Sequence, residues 1–332
     1  MVATKCDIVV VGAGIVGLAC SLLLADKGYN VVVVARDFPG DETTAFASPW
    51  AGALLAPYPG GSMEMQKRSL EFYQKLAKDK PHVGLSSIAI TEFYDDREGE
   101  SSIWYRTLFD DFKFLTKDKL LKSAKIGFTY TTQVINPVYF LPWLVMELVQ
   151  RGVQMVREEV VDLETLRQQR SAWVVVNATG LGARQLARDE QVHSVRGQTM
   201  FVKSSFDRVV IFQGSEYTYV IPRQHSGGVI LGGVSEPNST DRRVSQPTKK
   251  DILRRVNSLT NGAFHDLDLD RDVIRDIVGF RPARHGGIRV ERTARVVHAY
   301  GAGGLGYLYA FGMADSVCEI VRGMAKEVSA KL

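Results

Sequence analysis

The sequence predicts a mixed α/β protein in which an open parallel sheet is interleaved with an antiparallel sheet. Three observations predict this fold class. A βαβ pattern opens the chain (6–36), a second buried strand breaks into small residues near the middle (172–180), and short apolar runs separated by turns follow between 195 and 233. The chain has 332 residues, which is long enough for two domains.

The first βαβ unit has the sequence CDIVVVGAGIVGLACSLLLADKGYNVVVVAR, with three glycines in G-x-G-x-x-G spacing between the first strand and the helix. In a Rossmann-type unit, Gly12 makes the tight turn, Gly14 lets a pyrophosphate approach the backbone, and Gly17 lets helix and strand pack closely. The helix start adds free N–H groups and a positive dipole end. The motif predicts a dinucleotide site, and a glycine-rich turn without a ligand is the alternative. The candidate cofactor-binding residues here are Gly12, Ala13, Gly14, Ile15, Val16 and Gly17.

The end of the second strand departs from the usual fingerprint, which places an acid there to bind the adenosine ribose. Here Ala35 is followed by Arg36 and Asp37. An arginine at this point suits either the 2′-phosphate of NADP or the adenosine and phosphates of FAD. The polar turn that follows predicts that Thr43 and Thr44 offer hydroxyls to a phosphate.

Composition excludes several classes of function. Apolar content of 45%, charged content of 23% and a net charge of +4 describe a globular protein without a basic stretch for nucleic acid. No run of about 18 apolar residues predicts a membrane span. The three cysteines lack C-x-x-C spacing and the six histidines lack H-E-x-x-H spacing, so we expect neither a disulfide framework nor a metal site.

Further elements follow in order along the chain. Apolar spacing predicts helices at 63–80, 137–152 and 247–259, and a final helix that runs to about Lys331. Strands and loops of a second domain are expected at 83–115. Buried strands are expected at 172–176 and 296–300, and a strand at 273–278 leads into the segment GFRPAR.

Several motifs together resemble the D-amino acid oxidase family, and its fungal branch in particular. They are the N-terminal fingerprint, ARDFPGDETTAFASPWAGA, VVVNATGLGA, VRGQT, YVIPR followed by LGG, VGFRPAR, and HAYGAGGLGY. The resemblance spans nearly the whole chain. It implies noncovalent FAD rather than NADP, because fungal members share the Ala-Arg-Asp segment. It also implies a Rossmann-type FAD-binding domain (1–57, 135–190, 275–332) interleaved with a substrate-binding domain on an antiparallel sheet (58–134, 191–274).

The resemblance also assigns site residues. The family's substrate-carboxylate arginine corresponds to Arg281, whose planar guanidinium suits a carboxylate, and a second carboxylate contact corresponds to Tyr219. Other substrate-pocket positions are Leu54, Tyr217 and Gly304. Beyond the fingerprint, the FAD positions are Arg36, Asp37, Thr43, Thr44, Gly52, Val160, Gly180, Gly303, Gly304, Gly306, Tyr307 and Leu308.

The implied reaction is oxidative deamination of a D-amino acid by hydride transfer to the flavin. Molecular oxygen is the second substrate, and the products are a 2-oxo acid, ammonia and hydrogen peroxide. Alternatives are a D-aspartate oxidase, a small-amine oxidase, a flavin-binding protein without catalysis, and an NADP-dependent reductase. Peroxide chemistry favours reading the last three residues, Ala330-Lys331-Leu332, as a variant of the peroxisomal import sequence. The oligomeric state, including a homodimer, stays open.

Two departures from the family bear on substrate choice. Ser215 stands where many animal members carry a lid tyrosine, so a lid of that type is doubtful. Leu54 removes a polar group that fungal relatives place on one expected wall of the pocket, and Leu55 is apolar on the same expected wall. We expect Arg208 and Arg223 to lie outside the pocket, which leaves no second cation for an acidic side chain. The sequence therefore predicts a preference for neutral, apolar D-amino acids.

Overall fold

The computed structural model describes residues 6–80, 82–97 and 99–329. Within these residues there are seven α-helices and fifteen strands, joined by turns and short 3₁₀ segments. The helices are α1 (Ile15–Asp26), α2 (Met63–Asp79), α3 (Pro137–Gln150), α4 (Leu163–Gln169), α5 (Ala183–Leu186), α6 (Gln246–Leu259) and α7 (Gly306–Ser329). The strands are β1 (Ile8–Val11), β2 (Val31–Ala35), β3 (Leu85–Tyr94), β4 (Lys113–Phe114), β5 (Ile126–Ile135), β6 (Gln154–Arg157), β7 (Val174–Asn177), β8 (Val192–Lys203), β9 (Val209–Gln213), β10 (Thr218–Arg223), β11 (Gly228–Gly232), β12 (Glu236–Pro237), β13 (Val273–Arg284), β14 (Arg289–Thr293) and β15 (Val296–Tyr300).

The first sheet contains six strands in the order β14-β15-β7-β1-β2-β6. All its neighbours are parallel except the edge pair β14–β15. Strands β1, β2 and β7 are buried along their whole length, which explains their near-continuous valine runs. The predicted βαβ opening and the buried strand near the middle of the chain are both present in this sheet.

Helices cover both faces of the first sheet. On one face, residues of α1, α3 and α7 form one hydrophobic core with the strands, and Leu163 and Leu166 of α4 cover the other face. Cys6, Cys20 and Cys318 are buried and unpaired, as the sequence indicates. Helix α7 ends at Ser329, and the predicted extension to Lys331 lies outside the described residues.

The second sheet contains nine strands, in the order β12-β8-β11-β10-β9-β3-β5-β4 with β13 also paired to β8. Most of its pairs are antiparallel, but β3 and β9 are parallel, so the prediction of an antiparallel sheet is wrong at this pair. The reason is topological. After β3 and β5 the chain crosses to the first sheet, and on its return it lays β9 beside β3 in the same direction.

Strand β13 runs through the GFRPAR segment instead of ending before it. It pairs with β8 from Val273 to Arg284, with one irregularity near its start. Pro282 is compatible with this position because β13 lies at an edge and needs no ladder N–H on its free side. Arg281 is therefore held on a regular strand rather than on a loop. The domain boundaries given above stay a prediction.

Candidate functional site

A cavity of about 590 Å³ lies between the two sheets. Its first end is formed by the turn after β1, the end of β2 and residues 158–160, and its second end by strands of the nine-stranded sheet. Most residues of 45–58 and all of 301–308 line the cavity as well. The carboxyl ends of the parallel strands open into the first end, which is where open α/β sheets bind ligands.

The glycine turn has the geometry that its spacing predicts. Gly12 has a φ of +107°, and a Cβ there would stand 2.5 Å from the carbonyl oxygen of Ala178. Gly17 does not line the cavity, but a Cβ there would collide with the carbonyl oxygen of Gly12, so this glycine permits close helix–strand packing. The remaining residues of the turn all line the cavity, namely Gly12, Ala13, Gly14, Ile15 and Val16.

Ser48 is a residue of this end that the sequence interpretation missed. Its Oγ accepts a hydrogen bond from the backbone N–H of Ile15 at 2.9 Å, in the first turn of α1. A Cβ on Gly14 would stand 3.0 Å from the same oxygen, so the hydroxyl lies directly over the turn. The sequence offered only one indication, a hydroxyl within a stretch of small residues. The contact itself joins residues 33 positions apart, and no local pattern predicts it.

The end of β2 carries a charged cluster. Arg36 donates to Asp37 (Nη2 to Oδ2, 2.7 Å) and lies 3.8 Å from a carboxylate oxygen of Glu159. These residues line the cavity together with Glu158 and Val160. Two acids beside Arg36 compensate its charge and add negative potential, which disfavours a 2′-phosphate here. The charge pattern therefore favours the FAD interpretation of Arg36.

Thr43 and Thr44 do not line the cavity, in contrast to the prediction that they face a phosphate. The carbonyl of Thr43 instead accepts from the indole N–H of Trp50 at 2.9 Å and from the backbone N–H of Phe46 at 3.2 Å. The turn thus places the next segment, 45–48, against the cavity, and Ser48 supplies the hydroxyl that was expected from the threonines.

Seven further predicted FAD positions line the cavity. They are Gly52, Gly180, Gly303, Gly304, Gly306, Tyr307 and Leu308. The hydroxyl of Tyr307 donates to the carbonyl of Ser48 at 3.0 Å, which joins the start of α7 to the segment above the glycine turn. Glycines and short backbone turns around this part leave room for a planar ring.

Arg281 lies at the second end of the cavity. Its Nη1 donates to the carbonyl oxygen of Val234 at 2.8 Å. A Cβ on Gly197 would stand 2.6 Å from Nη2, so the guanidinium lies flat on a glycine of β8. No carboxylate of the described residues forms an ion pair with Arg281, although it lines a cavity. This arrangement leaves part of the guanidinium fork available for a ligand.

Tyr219 faces the same end from β10. It is 5% exposed, and a Cβ on Gly232 of β11 would stand 2.6 Å from its hydroxyl oxygen. Its ring lies 5.4 Å from that of Tyr217, centroid to centroid. Burial raises the pKa of Tyr217, the neighbouring Tyr219 adds to the rise, and the charge of Arg281 opposes it. These three side chains therefore converge on one region.

The walls of this end are apolar. Leu54 lines the cavity, whereas Leu55 is fully buried in the core behind it, so its predicted place on the wall is wrong. Arg208 is exposed beside Asp207, and Arg223 is buried behind the cavity, where it donates to the carbonyl of Ala51 at 2.6 Å. Neither arginine lines the cavity, as expected.

The turn between β9 and β10 is short and anchored. Ser215 is exposed, and its backbone N–H and hydroxyl both donate to the carboxylate of Asp95. This tether holds the turn against the end of β3, where Asp95 lies. Among the described residues, no helix has the length and apolar character needed to cross a membrane, and no group of three metal-ligating side chains occurs.

The residues around the cavity suit FAD. The glycine turn and the N–H groups of α1 form a place for a pyrophosphate. Arg36, Asp37 and Glu159 would provide polar contacts to a ribose, and the glycine-lined middle leaves room for a flat ring. Arg281 and Tyr219 line the cavity beyond this middle, where they would face a small carboxylate.

Comparison with known proteins agrees with this geometry. The FAD dependent oxidoreductase family matches residues 7–320. A D-amino-acid oxidase of Schizosaccharomyces pombe is 34% identical over 332 residues, covering 94% of this chain and 95% of that protein. A D-aspartate oxidase of Talaromyces thermophilus is 29% identical over 355 residues, covering 95% and 94%.

Solved structures show the same fold at lower identity. A glycine oxidase from Bacillus cereus ATCC 14579 superposes with a TM-score of 0.77 at 18% identity, covering 96% of each chain. An L-proline dehydrogenase from P. horikoshii also gives 0.77, at 17% identity, covering 96% of this chain and 94% of that one. With a cavity suited to FAD, this fold and a full-length sequence match, the chain belongs to the D-amino acid oxidase family of FAD-dependent oxidoreductases, and FAD is its cofactor.

Proposed function

We propose that the protein oxidises neutral, apolar D-amino acids, with FAD as electron acceptor and molecular oxygen as the final oxidant. The net reaction consumes one amino acid, one oxygen and one water, and it gives a 2-oxo acid, ammonia and hydrogen peroxide. The observation that carries the proposal is the guanidinium of Arg281, which lies on Gly197 beside Tyr219 without a carboxylate partner among the described residues. The name of the S. pombe relative supports the same reaction.

The residues of this chain would act mainly by orientation. Arg281 would bind the substrate carboxylate with two parallel hydrogen bonds, and the hydroxyl of Tyr219 would add a third. These contacts fix the α-carbon relative to the ring, and such positioning can contribute on the order of 7–11 kcal/mol. FAD, when bound, supplies the electron chemistry.

No general base is needed from the protein. Among the described residues, none that lines the cavity is a histidine, and its acids belong to the ribose end. The substrate amine would lose its proton to solvent before the carbon–hydrogen bond breaks. The second end of the cavity thus contributes a cation, hydroxyls and apolar walls.

Side-chain preference follows from the charges near Arg281. Leu54, Ile211 and Ile221 line the cavity, and within the described chain no second cation lines this end. A side-chain carboxylate would have to be desolvated without a partner, which costs several kcal/mol. A neutral side chain carries no such penalty. The alternative, oxidation of D-aspartate, is supported by the name of the T. thermophilus relative.

A peroxide-release screen across D-amino acids, with L-enantiomers as controls, tests the proposal. We expect kcat/KM for D-alanine and D-methionine to exceed that for D-aspartate by at least about 100-fold, equivalent to about 2.7 kcal/mol. Equal or better use of D-aspartate would show that the charge argument is wrong. Activity on L-enantiomers alone would refute the proposed stereochemistry.

We further propose that the enzyme acts in peroxisomes. Ala330, Lys331 and Leu332 resemble the S-K-L import sequence, and an oxidase that makes peroxide benefits from that compartment. These three residues lie outside the described part of the structure. Deleting them should leave activity in vitro unchanged and move a fluorescently tagged protein to the cytosol. Peroxisomal targeting of the truncated protein would contradict the assignment.

A further inference from the structure

Thr199 on β8 has a buried hydroxyl that no described residue satisfies. The residue is 6% exposed and lines the cavity. Its Oγ1 is buried and has no hydrogen-bond partner among the described residues. Leaving a buried polar group unpaired costs about 1–3 kcal/mol, so native proteins rarely do it without a reason.

The neighbours on β8 show that this is a local exception. Side chains alternate along a strand, so Gly197 and Thr199 share the face toward the cavity, while Arg196 and Gln198 lie on the opposite face. On that face Arg196 donates to Gln198 at 3.0 Å, and Gln198 donates to the carbonyl of Ser245 at 2.9 Å. The polar side chains away from the cavity are paired, and the one toward it is not.

Thr199 also lies near the two side chains proposed to bind the carboxylate, Arg281 and Tyr219. Two residues before it is Gly197, on which the guanidinium of Arg281 rests. On the neighbouring strand β11, Leu231 pairs with Met200, which places Thr199 beside Gly232, the residue under the ring of Tyr219. On its other side Thr199 pairs with the apolar Ile277. A ligand held by Arg281 and Tyr219 would therefore lie above this hydroxyl.

We infer that Thr199 is a substrate-binding residue whose hydroxyl donates a hydrogen bond to the carboxylate bound by Arg281 and Tyr219. The inference rests on the proposed function and deepens it, because it adds a third side chain to the carboxylate site. It explains why an unsatisfied hydroxyl persists at a position where valine would have the same shape. The hydroxyl lacks a partner within the described part of the chain and would gain one when substrate binds.

This assignment predicts that Thr199→Val affects protein stability and carboxylate affinity in opposite directions. Removing an unpaired buried hydroxyl should raise or preserve stability of the substrate-free holoenzyme, because a desolvation penalty disappears. The same change should weaken binding of a carboxylate ligand. Removing a hydroxyl that has a hydrogen-bond partner within the protein should instead lower stability. Thr132 is such a case: it is buried and donates to the carbonyl of Leu55 at 2.6 Å, so Thr132→Val should lower the melting temperature.

The experiment compares wild-type holoenzyme with Thr199→Val, Thr199→Ser and Thr132→Val. The probe is propanoate, a carboxylate without an amine, titrated by its perturbation of the flavin absorbance. For Thr199→Val we expect the propanoate Kd to rise about 5- to 10-fold, kcat/KM for D-alanine to fall by a similar factor, and the melting temperature to stay or rise. Thr199→Ser should stay within about 3-fold of wild type, since the hydroxyl remains.

Other outcomes overturn the inference in distinguishable ways. An unchanged propanoate Kd in Thr199→Val, or a fall in melting temperature like that of Thr132→Val, would refute a substrate contact. A weaker FAD affinity with unchanged propanoate binding would assign the hydroxyl to the cofactor instead. If wild type itself neither binds propanoate nor oxidises any D-amino acid, the proposed function fails rather than this inference alone.

Discussion

The two ends of the cavity are built in different ways. The first end of the cavity, here called the nucleotide end, combines the glycine turn, the N–H groups of α1 and the Ser48 hydroxyl with a charged cluster at the end of β2 and residues 158–160. The second end, proposed above as the substrate end, presents side chains from separate strands, with Arg281 on β13, Tyr219 on β10 and Thr199 on β8. They meet only because those strands are neighbours in one sheet.

Glycine has a different task at each end. At the nucleotide end, Gly12 and Gly17 bring a helix and two strands close together. At the substrate end, Gly197 and Gly232 leave space above the sheet for the side chains of Arg281 and Tyr219. Nucleotide binding therefore depends on local backbone geometry, whereas substrate binding depends on strand register. Substitutions at the two ends should accordingly affect different measurements.

The largest expected effect separates substrate binding from cofactor binding. Arg281→Ala removes the carboxylate anchor and should lower kcat/KM for every D-amino acid by about 100- to 1,000-fold, equivalent to about 3–4 kcal/mol. FAD content, measured from absorbance, should not change. Arg208→Ala is the matched control, because Arg208 is exposed and lies outside the cavity. Loss of FAD from Arg281→Ala would show that the two ends are not independent.

The converse substitution acts at the nucleotide end. In Gly14→Val the new side chain would lie against Oγ of Ser48 and occupy the space for a pyrophosphate. We expect folded but colourless protein, as judged by circular dichroism and flavin absorbance. Gly323→Ala in α7 is the control, since a Cβ there meets nothing within 4 Å. A full complement of FAD in Gly14→Val would contradict the placement of the pyrophosphate.

A third comparison concerns buried titratable groups behind the two ends. Glu92 of β3 is fully buried and accepts from the hydroxyls of Tyr130 at 2.5 Å and Tyr94 at 3.0 Å. Burial raises its pKa to about 7, and the tyrosine hydrogen bonds only partly offset this. In the first sheet, burial lowers the pKa of His298 to about 4. Both groups are thus favoured in their neutral forms.

The sign of the pH effect differs between these two groups. The unfolded chain ionises Glu92 at lower pH than the native protein does, so its contribution to stability falls as pH rises from about 4.5 to about 7. The contribution of His298 to stability has the opposite pH dependence, because it falls as pH falls from about 6.5 to about 4. As pH rises from 4.5 to 7, the melting temperature of wild type should therefore fall relative to that of Glu92→Gln, because the glutamine does not ionise. A pH-independent difference would contradict the raised pKa.

Much of the first sheet and the nucleotide end could be predicted from the sequence, because the βαβ unit is contiguous and each of its patterns is local. The parallel pairing of β3 with β9 could not, since it depends on the route of the chain between two sheets. Strand β5 went unassigned because its threonines obscure the apolar alternation. Ser48 and Thr199 were missed because their importance lies in contacts across long chain separations.

The smallest expected effect tests a contact that joins the two ends. Arg275 of β13 donates to both carboxylate oxygens of Glu42, at 2.7 and 2.8 Å, and its guanidinium lies 4.7 Å from the ring centroid of Trp50. Trp50 lines the cavity, and Glu42 belongs to the turn that leads to Ser48. This group therefore ties the segment over the cofactor site to the substrate sheet.

Breaking this contact should loosen cofactor retention without affecting the carboxylate site. Arg275 and Glu42 are both substantially exposed, so the pair contributes only about 0.2–1 kcal/mol and is screened by salt. We expect Arg275→Gln to speed FAD release about 2- to 5-fold at low salt, followed by the rise in flavin fluorescence, with KM for D-alanine unchanged. At about 1 M salt the variant and wild type should converge. Arg254→Gln, which removes a comparably exposed ion pair with Glu216 away from this segment, is the control. If Arg275→Gln raised KM and left FAD release unchanged, the contact would belong to the substrate end alone.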